Sequence, residues 1–369
     1  MRYVYKENED QHLGKYHIGK HAQLRPVTRI HLPSVFNDLP SHFFLLDPAG
    51  YYNSSFRLHP FDTVAPVRAS LYNSPMHSDL CLPWYWEHDI DFVHFVERAC
   101  QEQGLTLWQI TPDNVLESIT ALYRGERTFN TLLDRSQGDD RFLPIDRWAK
   151  EYHKKRINPI EVSLWSEDKA TMHLELITAG IQTPHTILLA PFLQQPVPPA
   201  FDLTPLGHQF VIKPSNEGGG EGVVLGASSL DQIMRARMQF PEQKYLLQAT
   251  VTPRTIQGRP AWFRVFYAVG KTYPCWWHPL THVYTMVTTS EENRYELSPL
   301  HEITQRIASI CKLDWFTTEI ALTLENFVVV DYVNDQIDTR VQSRAVDGAP
   351  DEIMQSIAGQ LVTIAKENQ

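Results

Sequence analysis

The chain has 369 residues, which is long enough for two or three subdomains with separate cores. Its composition, 43% hydrophobic and 21% charged residues, is that of an ordinary globular protein. The formal net charge of −10 argues against a general binder of nucleic acid or anionic membranes, because such binding depends on a basic surface. The partners are therefore expected to be small molecules or peptides.

The N-terminal residues, the apolar runs and the cysteines bear on the cellular location. The first ten residues lack the apolar core of a secretory signal, and no later run reaches membrane-spanning length. The four cysteines are scattered without a C-x-x-C pair, which fits neither a disulfide framework nor a structural zinc site. These features predict a cytoplasmic protein, and base rates for symmetric assemblies favour a homodimer.

Residues 1–88 carry the weakest structural pattern, being crowded with Pro, His and aromatic residues and showing little sustained period. We assign them to an N-terminal extension of unknown role. From residue 89 to 160 the pattern becomes α/β: an apolar helical face over 90–103 with Gly104 as its C-cap, strands at 105–110 and 128–135, and a helix over 148–155. This alternation predicts a parallel sheet covered by helices on both faces.

Residues 161–252 read as a capped helix over 166–180, followed by strands at 186–190, 210–212 and 244–248 and a helix over 228–238. Residues 253–369 begin with one arm of a hairpin at 262–271. An amphipathic helix over 302–313, a strand pair at 316–322 and 327–334, and a closing helix over 351–367 follow. The strand pair ends in carboxylates.

A glycine-rich turn is the most informative single stretch. The apolar strand at 210–212 runs into Lys213 and then into a loop with four glycines. Glycine accepts positive φ and exposes bare N–H groups, so the loop suits a phosphate cradle closed by the lysine. The alternative is a hairpin whose loop happens to be rich in glycine. The glycines are Gly218, Gly219, Gly220 and Gly222.

The ordered set of motifs resembles the ATP-grasp superfamily over roughly residues 90–369. It looks most like the glutathione synthetases and the ribosomal-protein glutamate ligases. The motifs, in chain order, are Leu133-Asp-Arg135, Ile157-Asn-Pro159, Asp168-Lys169 with Gly180-Ile-Gln-Thr-Pro184, Val211-Ile-Lys-Pro214 with the glycine loop, Leu247-Gln-Ala-Thr250, Arg264, and Asp331 through Asn334. The resemblance implies an α/β fold with a parallel-sheet domain at 89–160, a small lobe at 161–252 and a large lobe at 253–369 enclosing the nucleotide.

The resemblance also implies the ATP site. Lys169 and Lys213 would neutralise the α- and β-phosphates, and the glycine loop would close over them with its amides. After Gln248, the backbone of Ala249, Thr250 and Val251 would bind the adenine edge. Without the resemblance, Lys169 would be taken for a surface lysine of a helix.

A metal site for Mg²⁺ or Mn²⁺ is expected from hard oxygen ligands on the last strand pair. The candidates are Glu319, Asp331 and Asn334. The family pattern is Glu-x-Asn, whereas Asp331 and Asn334 stand one residue further apart, so a bulge is needed to restore their common facing. Otherwise Asp335 or Asp338 supplies the second ligand. The other interpretation is a solvated acidic turn.

Three further residues complete the predicted site. Arg264 lies in mid-strand, where a cation is costly unless it meets an anion, and it is assigned to the γ-phosphate; a buried pair with Glu319 is the structural alternative. Arg340 is a candidate clamp for a substrate carboxylate, with a surface arginine as the alternative. His278 belongs to a loop rich in Trp and His that is expected to shape the acceptor pocket.

The resemblance implies an ADP-forming carboxylate-amine ligase that makes an amide or peptide bond through an acyl phosphate. Two alternatives remain from the sequence: an ATP-grasp kinase that phosphorylates a small-molecule hydroxyl, and a nucleotide-binding protein without turnover.

Overall fold

The computed structural model describes residues 75–136 and 138–368. The first 74 residues of the predicted N-terminal extension, 1–88, therefore lie outside the described residues. Within residues 75–136 and 138–368, no helix is both long and apolar enough to cross a membrane.

The first sheet has four parallel strands in the order β2-β1-β3-β4. Its elements are β1 (Met76–Pro83), α1 (Ile90–Gln103), β2 (Leu107–Ile110), α2 (Val115–Tyr123), β3 (Arg127–Leu133), α3 (Leu143–Glu151) and β4 (Lys155–Ile157). Alternate residues of the strands pack against α1 on one face and against α2 and α3 on the other. The predicted parallel sheet with helices on both faces is confirmed.

Two details of this region differ from the expectation. β1 is an inner strand of the sheet, so the sheet begins before the boundary predicted at residue 88. The helix predicted over 148–155 begins and ends earlier, as α3, and its expected last residue, Lys155, is instead the first residue of β4. Pairing with β3 overrides the weak helical pattern of this short segment.

The second sheet is antiparallel, with four strands in the order β5-β8-β6-β7. Its region contains α4 (Ile160–Glu167), α5 (Lys169–Thr178), β5 (Thr186–Leu189), β6 (Phe210–Pro214), β7 (Val224–Ala227), α6 (Leu230–Gln239) and β8 (Tyr245–Ala249). The helix expected over 166–180 is mainly α5, and α4, which precedes it and overlaps only its first two residues, was not predicted. The two helices are separated at Asp168, which has extended backbone and whose carboxylate accepts from the N–H groups of Ala170 and Thr171 as the N-cap of α5.

The third sheet is also antiparallel and has five strands in the order β13-β12-β11-β14-β15. Its region contains a short hairpin of β9 (Thr255–Ile256) and β10 (Arg259–Pro260), then β11 (Trp262–Ala268), β12 (Lys271–Trp277), β13 (Tyr284–Met286), α7 (Thr289–Tyr295), α8 (Pro299–Cys311), β14 (Trp315–Leu322), β15 (Phe327–Asn334) and α9 (Asp351–Glu367). One face packs against α5 and α8. The final helix, α9, packs against α1 and the first sheet in one continuous core.

Candidate active site

Three charged residues lie in one row across the third sheet. Arg264 on β11 is opposite Glu319 on β14, and Glu319 is opposite Asp331 on β15. Residues directly opposite in antiparallel strands share a face, so the three side chains face the same side. Nη2 of Arg264 lies 3.5 Å from Oε1 of Glu319. The pair between Arg264 and Glu319, weighed from the sequence as a structural alternative, is thus present in this row.

Arg264 is held by aromatic neighbours as well. Its Nη1 donates to the hydroxyl of Tyr284 at 3.3 Å, and its guanidinium carbon lies 5.2 Å from the ring centroid of Trp277. Burial alone would lower the pKa of Arg264, but Tyr284, Glu319 and Asp331 raise it above its ordinary value. The site therefore keeps a permanent cation in a fixed position.

The pKa values of the two carboxylates in the row, Glu319 and Asp331, are shifted in opposite directions. Burial raises the pKa of Glu319, and Asp331 adds to that shift, while Arg264 opposes it. The indole N–H of Trp262 also donates to Oε2 of Glu319 at 3.3 Å. Of the two carboxylates, Glu319 therefore has the greater tendency to hold a proton when no metal ion is bound beside it.

Asp331 is the more firmly ionised carboxylate. Burial alone would raise its pKa, but Lys169, Lys213 and Arg264 lower it below its ordinary value. Cations from three different elements, α5, β6 and β11, therefore act on this one carboxylate. The structure thus brings together five of the residues predicted from the sequence.

The two lysines reach this row from the second sheet's region. Lys213, on β6, donates from Nζ to the carbonyl of Val330 at 3.2 Å, beside Asp331, and burial lowers its pKa. Lys169, the first residue of α5, donates from Nζ to the carbonyl of Glu217 at 2.7 Å. Because both ammonium groups bond to backbone carbonyls, each is available to exchange that partner for a phosphate oxygen.

The glycine loop connects the antiparallel strands β6 and β7, so the hairpin of the alternative interpretation is present, and phosphate binding stays a prediction. Gly219, Gly220 and Gly222 all have left-handed backbone, with φ of 60°, 80° and 69°. The first two and Gly218 are exposed, and the loop begins directly after Glu217, whose carbonyl receives the Lys169 ammonium. A loop with this backbone next to two lysines suits phosphate groups.

A buried polar network lies at the end of β8. The side-chain amide of Gln248 donates to the hydroxyl of Tyr332 at 2.6 Å and to that of Thr186 at 3.2 Å. The Tyr332 hydroxyl also contacts Nδ1 of His173 at 2.8 Å. Because Tyr332 is the neighbour of Asp331 on β15, this network joins the predicted adenine hinge to the carboxylate row.

The predicted hinge itself follows Gln248. The N–H of Ala249 donates to the carbonyl of His185 at 2.9 Å, and the hydroxyl of Thr250 donates to the carbonyl of Gln209 at 3.0 Å. Val251 is half-buried. Contact of these backbone groups with adenine stays a prediction.

The bulge expected near the metal ligands is confirmed. Glu319 is opposite Asp331 and Thr317 is opposite Asn334, so three steps along β15 match two along β14. Over the described residues, no group of three or more His, Cys, Asp or Glu side chains forms a metal cluster. Glu319 and Asp331 nevertheless supply facing carboxylate oxygens, the donor type that Mg²⁺ or Mn²⁺ prefers. The role of Asn334 stays a prediction.

Arg340 lies outside the row, in a cluster of its own. Its Nε and Nη2 donate to Asp338, with the shortest distance 2.6 Å, and its Nη1 and Nη2 donate to Asp347 at 3.3 and 3.0 Å. These hydrogen bonds, with Asp338 contributing most, raise its pKa. Its predicted contact with a substrate carboxylate would require part of this pairing to open.

His278 begins the turn between β12 and β13. Its Nδ1 accepts from the N–H groups of Leu280 and Thr281 at 3.3 and 3.2 Å, so the ring proton is on Nε2. The residue lines a pocket, and its role in binding the acceptor stays a prediction.

Trp262, Trp277 and Tyr284 were not identified from the sequence as site residues, although each contacts Arg264 or Glu319. Trp277 was noted only as part of a loop. Their positions depend on the pairing register of β11 with β12 and of β12 with β13. Residue spacing along the chain does not reveal that register.

The three sheets and the site between them define the ATP-grasp fold, and the described part of the chain has this fold. It is similar to a RimK-domain ATP-grasp protein from Sphaerobacter thermophilus, with 16% identity over 78% of this chain and 99% of that one, and a TM-score of 0.53. It is also similar to D-alanine–D-alanine ligase from Bacillus anthracis complexed with ATP, with 13% identity over 80% of this chain and 100% of that one, and a TM-score of 0.54. A third similar structure is the ATP-grasp ligase PsnB complexed with minimal precursor, Mg and ADP, with 14% identity over 79% of this chain and 99% of that one, and a TM-score of 0.55.

No protein-family model and no curated protein matches the sequence. The likeness is therefore one of fold, and the chemistry rests on the residues of this chain.

Proposed function

We propose that the protein is an ADP-forming carboxylate-amine ligase that uses ATP and Mg²⁺. The observation that carries the proposal is the convergence of Lys169, Lys213 and Arg264 on the facing carboxylates Glu319 and Asp331. A surplus of cations suits a polyphosphate, and paired carboxylates suit the metal that accompanies it. The fold shared with the ligases above supports the same reading.

In the first step, a substrate carboxylate oxygen attacks the γ-phosphorus of ATP, and the bond to the β-phosphate oxygen breaks to release ADP. Lys213 and Lys169 would hold the phosphates, and Arg264 would neutralise charge on the transferred group. Bound Mg²⁺, held by Glu319 and Asp331, would supply further charge neutralisation. An acyl phosphate remains.

In the second step, an amine nitrogen attacks the acyl carbon, and the carbon–oxygen bond to phosphate breaks. The amine's proton leaves to solvent or to the departing phosphate, since no side chain of the described residues stands out as a general base. The Gly218–Gly222 loop would exclude water, which otherwise hydrolyses the acyl phosphate. Catalysis therefore rests mainly on positioning and charge.

The test is to incubate the protein with Mg-ATP and pools of amino acids and dipeptides, and to read ADP, phosphate and product masses. The expected result is a product whose mass equals the summed mass of its two substrates less one water. The wild type should form this product and Lys213→Ala should not. A phosphorylated product without conjugate would replace the proposal by a kinase. Stabilisation by ATP without ADP release across the panel would indicate a binding protein.

A further inference from the structure

A buried tyrosine, Tyr332, contacts separate elements of the candidate site. It follows Asp331 on β15 and is 1% exposed, and its ring packs in the core on the α5 and α8 side of the third sheet. Its hydroxyl lies 2.6 Å from the side-chain amide nitrogen of Gln248 on β8 and 2.8 Å from Nδ1 of His173 on α5. One hydroxyl therefore joins the second sheet, the third sheet and the helix that begins at Lys169.

The hydrogen bonds of this network run in one direction. The hydroxyl of Thr186 donates to the carbonyl of Pro184 at 2.8 Å, so it can only accept from the amide of Gln248. That amide has two hydrogens, and it donates the other to Tyr332. The Tyr332 hydroxyl then donates its single hydrogen to Nδ1 of His173. Each hydrogen of the chain therefore has an acceptor.

The same chain holds His173 in one form. Because Nδ1 accepts, the ring proton is on Nε2 and the ring is neutral. Burial, with His185 adding to it, lowers the pKa of His173, which favours the same neutral form. A buried network whose hydrogens are all used cannot rearrange without leaving a polar group unpaired, and that is costly. The network therefore fixes the spacing of the elements that it joins.

Each of these elements carries a residue assigned to Mg-ATP. On α5, Lys169 precedes the histidine of the network by four residues, so the two share a face of the helix. On β8, the predicted adenine hinge, 249–251, begins directly after Gln248. On β15, the candidate metal ligand Asp331 precedes the tyrosine. The elements expected to contact the base, the phosphates and the metal thus meet at one hydroxyl.

We propose that Tyr332 is a positioning residue of the ligase, whose hydroxyl holds α5, β8 and β15 at the spacing that Mg-ATP requires. It acts through Lys169, the hinge and Asp331 without contacting the nucleotide itself. A ligand that bridges three elements binds more tightly when their spacing is set beforehand, because less ordering is needed on binding. The inference rests on the proposed function, since the spacing matters only if the hinge and the row bind one nucleotide.

The experiment compares two buried tyrosines. Tyr332→Phe removes only the hydroxyl of the network. The matched control is Tyr245→Phe: Tyr245 is also on β8 and fully buried, and its hydroxyl donates to the carbonyl of Ala236 at 2.6 Å in the separate core beside α6. Each full-chain variant is titrated by calorimetry with a non-hydrolysable Mg-ATP analogue. Conditions are chosen where urea denaturation shows both variants to be folded, so that lost stability does not enter the comparison.

Tyr332→Phe is expected to raise the dissociation constant of the analogue about tenfold, because the amide of Gln248 and Nδ1 of His173 both lose their partner. Tyr245→Phe should leave it within about twofold of the wild type, since its hydrogen bond lies outside the network. If Tyr332→Phe does not fold, His173→Leu removes the acceptor of the chain instead and should weaken binding by a similar factor.

A double variant tests whether the hydroxyl acts through the network. Because Tyr332→Phe and His173→Leu break the same chain, the two together should weaken binding about tenfold, as either does alone. A loss of about a hundredfold would show that the residues act separately and would contradict the network.

Unchanged binding in Tyr332→Phe would overturn the inference. Equal weakening in Tyr245→Phe would overturn it as well, because the effect would then follow from the loss of any buried hydroxyl. The wild type separates the two proposals. Its failure to bind the analogue contradicts the proposed function, whereas equal binding by the wild type and by Tyr332→Phe contradicts this inference alone.

Discussion

Two charged clusters of this molecule use the same residue types and differ in how completely they are paired. Around Arg340, one guanidinium meets two carboxylates with all three of its nitrogens. In the row across the third sheet, the lysines bond to backbone carbonyls, and Arg264 is 3.5 Å from Glu319. Buried charge is costly unless it is paired, so incompletely paired cations in a buried place indicate a ligand of opposite charge. Complete pairing indicates a structural role.

Removing one cation of the row should have the largest effect. Lys213→Ala takes away the ammonium group beside Asp331, and we expect ADP release with Mg-ATP to fall by about a hundredfold or more, as for the loss of a preorganised charge at a transferring phosphoryl group. Lys271→Ala removes an exposed lysine at the start of β12 and serves as the control. Turnover within twofold of the wild type in Lys213→Ala would mean that the row is not the reacting site.

Neutralising a carboxylate of the row tests the metal site. Asp331→Asn should raise the Mg²⁺ concentration needed for half-maximal ADP release by about tenfold or more. Asp347→Asn changes a carboxylate of the saturated cluster that is not a candidate metal ligand, and it should leave that concentration unchanged. The ligand assignment would be refuted if Asp335→Asn raised the Mg²⁺ requirement and Asp331→Asn did not.

Substitutions at Gly219 and Gly222 of the loop allow the cost of backbone strain to be measured separately from the cost of steric crowding. Both have left-handed backbone, but a Cβ at Gly222 would approach Cε2 of Phe240 at 2.6 Å, while one at Gly219 meets nothing within 4 Å. Gly219→Ala should lower the free energy of unfolding by about 1–2 kcal/mol. Gly222→Ala should lower it by about 1–3 kcal/mol more. Urea denaturation of the two variants measures the difference, and equal losses would show that Phe240 moves aside.

The last prediction concerns two neighbouring carboxyl groups, Glu167 at the end of α4 and Asp335 just after β15. Burial, with Asp335 adding to it, raises the pKa of Glu167 to about 9. The folded protein then keeps a proton that the unfolded chain releases at lower pH, so the free energy of unfolding should decrease as pH rises from about 4.5 toward about 9. Glu167→Gln should flatten this decrease in denaturation curves recorded across that range. An unchanged slope would show that Glu167 does not carry the shift.

Much of the fold follows from local pattern. Helix α1 with its glycine cap, the closing helix α9 and the strand pair β14–β15 were all predicted, because their apolar period and their end signals agree. Arg264 could be selected for a related reason, because a charge inside an apolar strand contradicts the pattern around it, whereas Glu319 and Asp331 were selected through the family resemblance. The bulge between Asp331 and Asn334 was predictable because the spacing alone would put them on opposite faces.

The remainder depends on pairing between distant segments. Tyr284 contacts Arg264 because β13 pairs with β12 in one register, and a shift by one residue would turn it to the other face. The pairing of Arg340 with Asp338 and Asp347 similarly depends on the course of the chain between β15 and α9. Helix α4 was missed because its buried residues are Ser163 and Ser166, which do not mark an apolar face in the sequence.

The packing of α9 has a consequence for synthesis. This helix is the last element of the described chain, yet its side chains complete the core beside α1 and β1, the first elements that the structure describes. During translation, the apolar face that α9 covers stays uncovered until all the other described elements have been made. The nascent chain therefore carries an unfinished first domain while the second and third sheets are synthesised, and a chain truncated before residue 351 would leave that surface exposed to aggregation or chaperone capture.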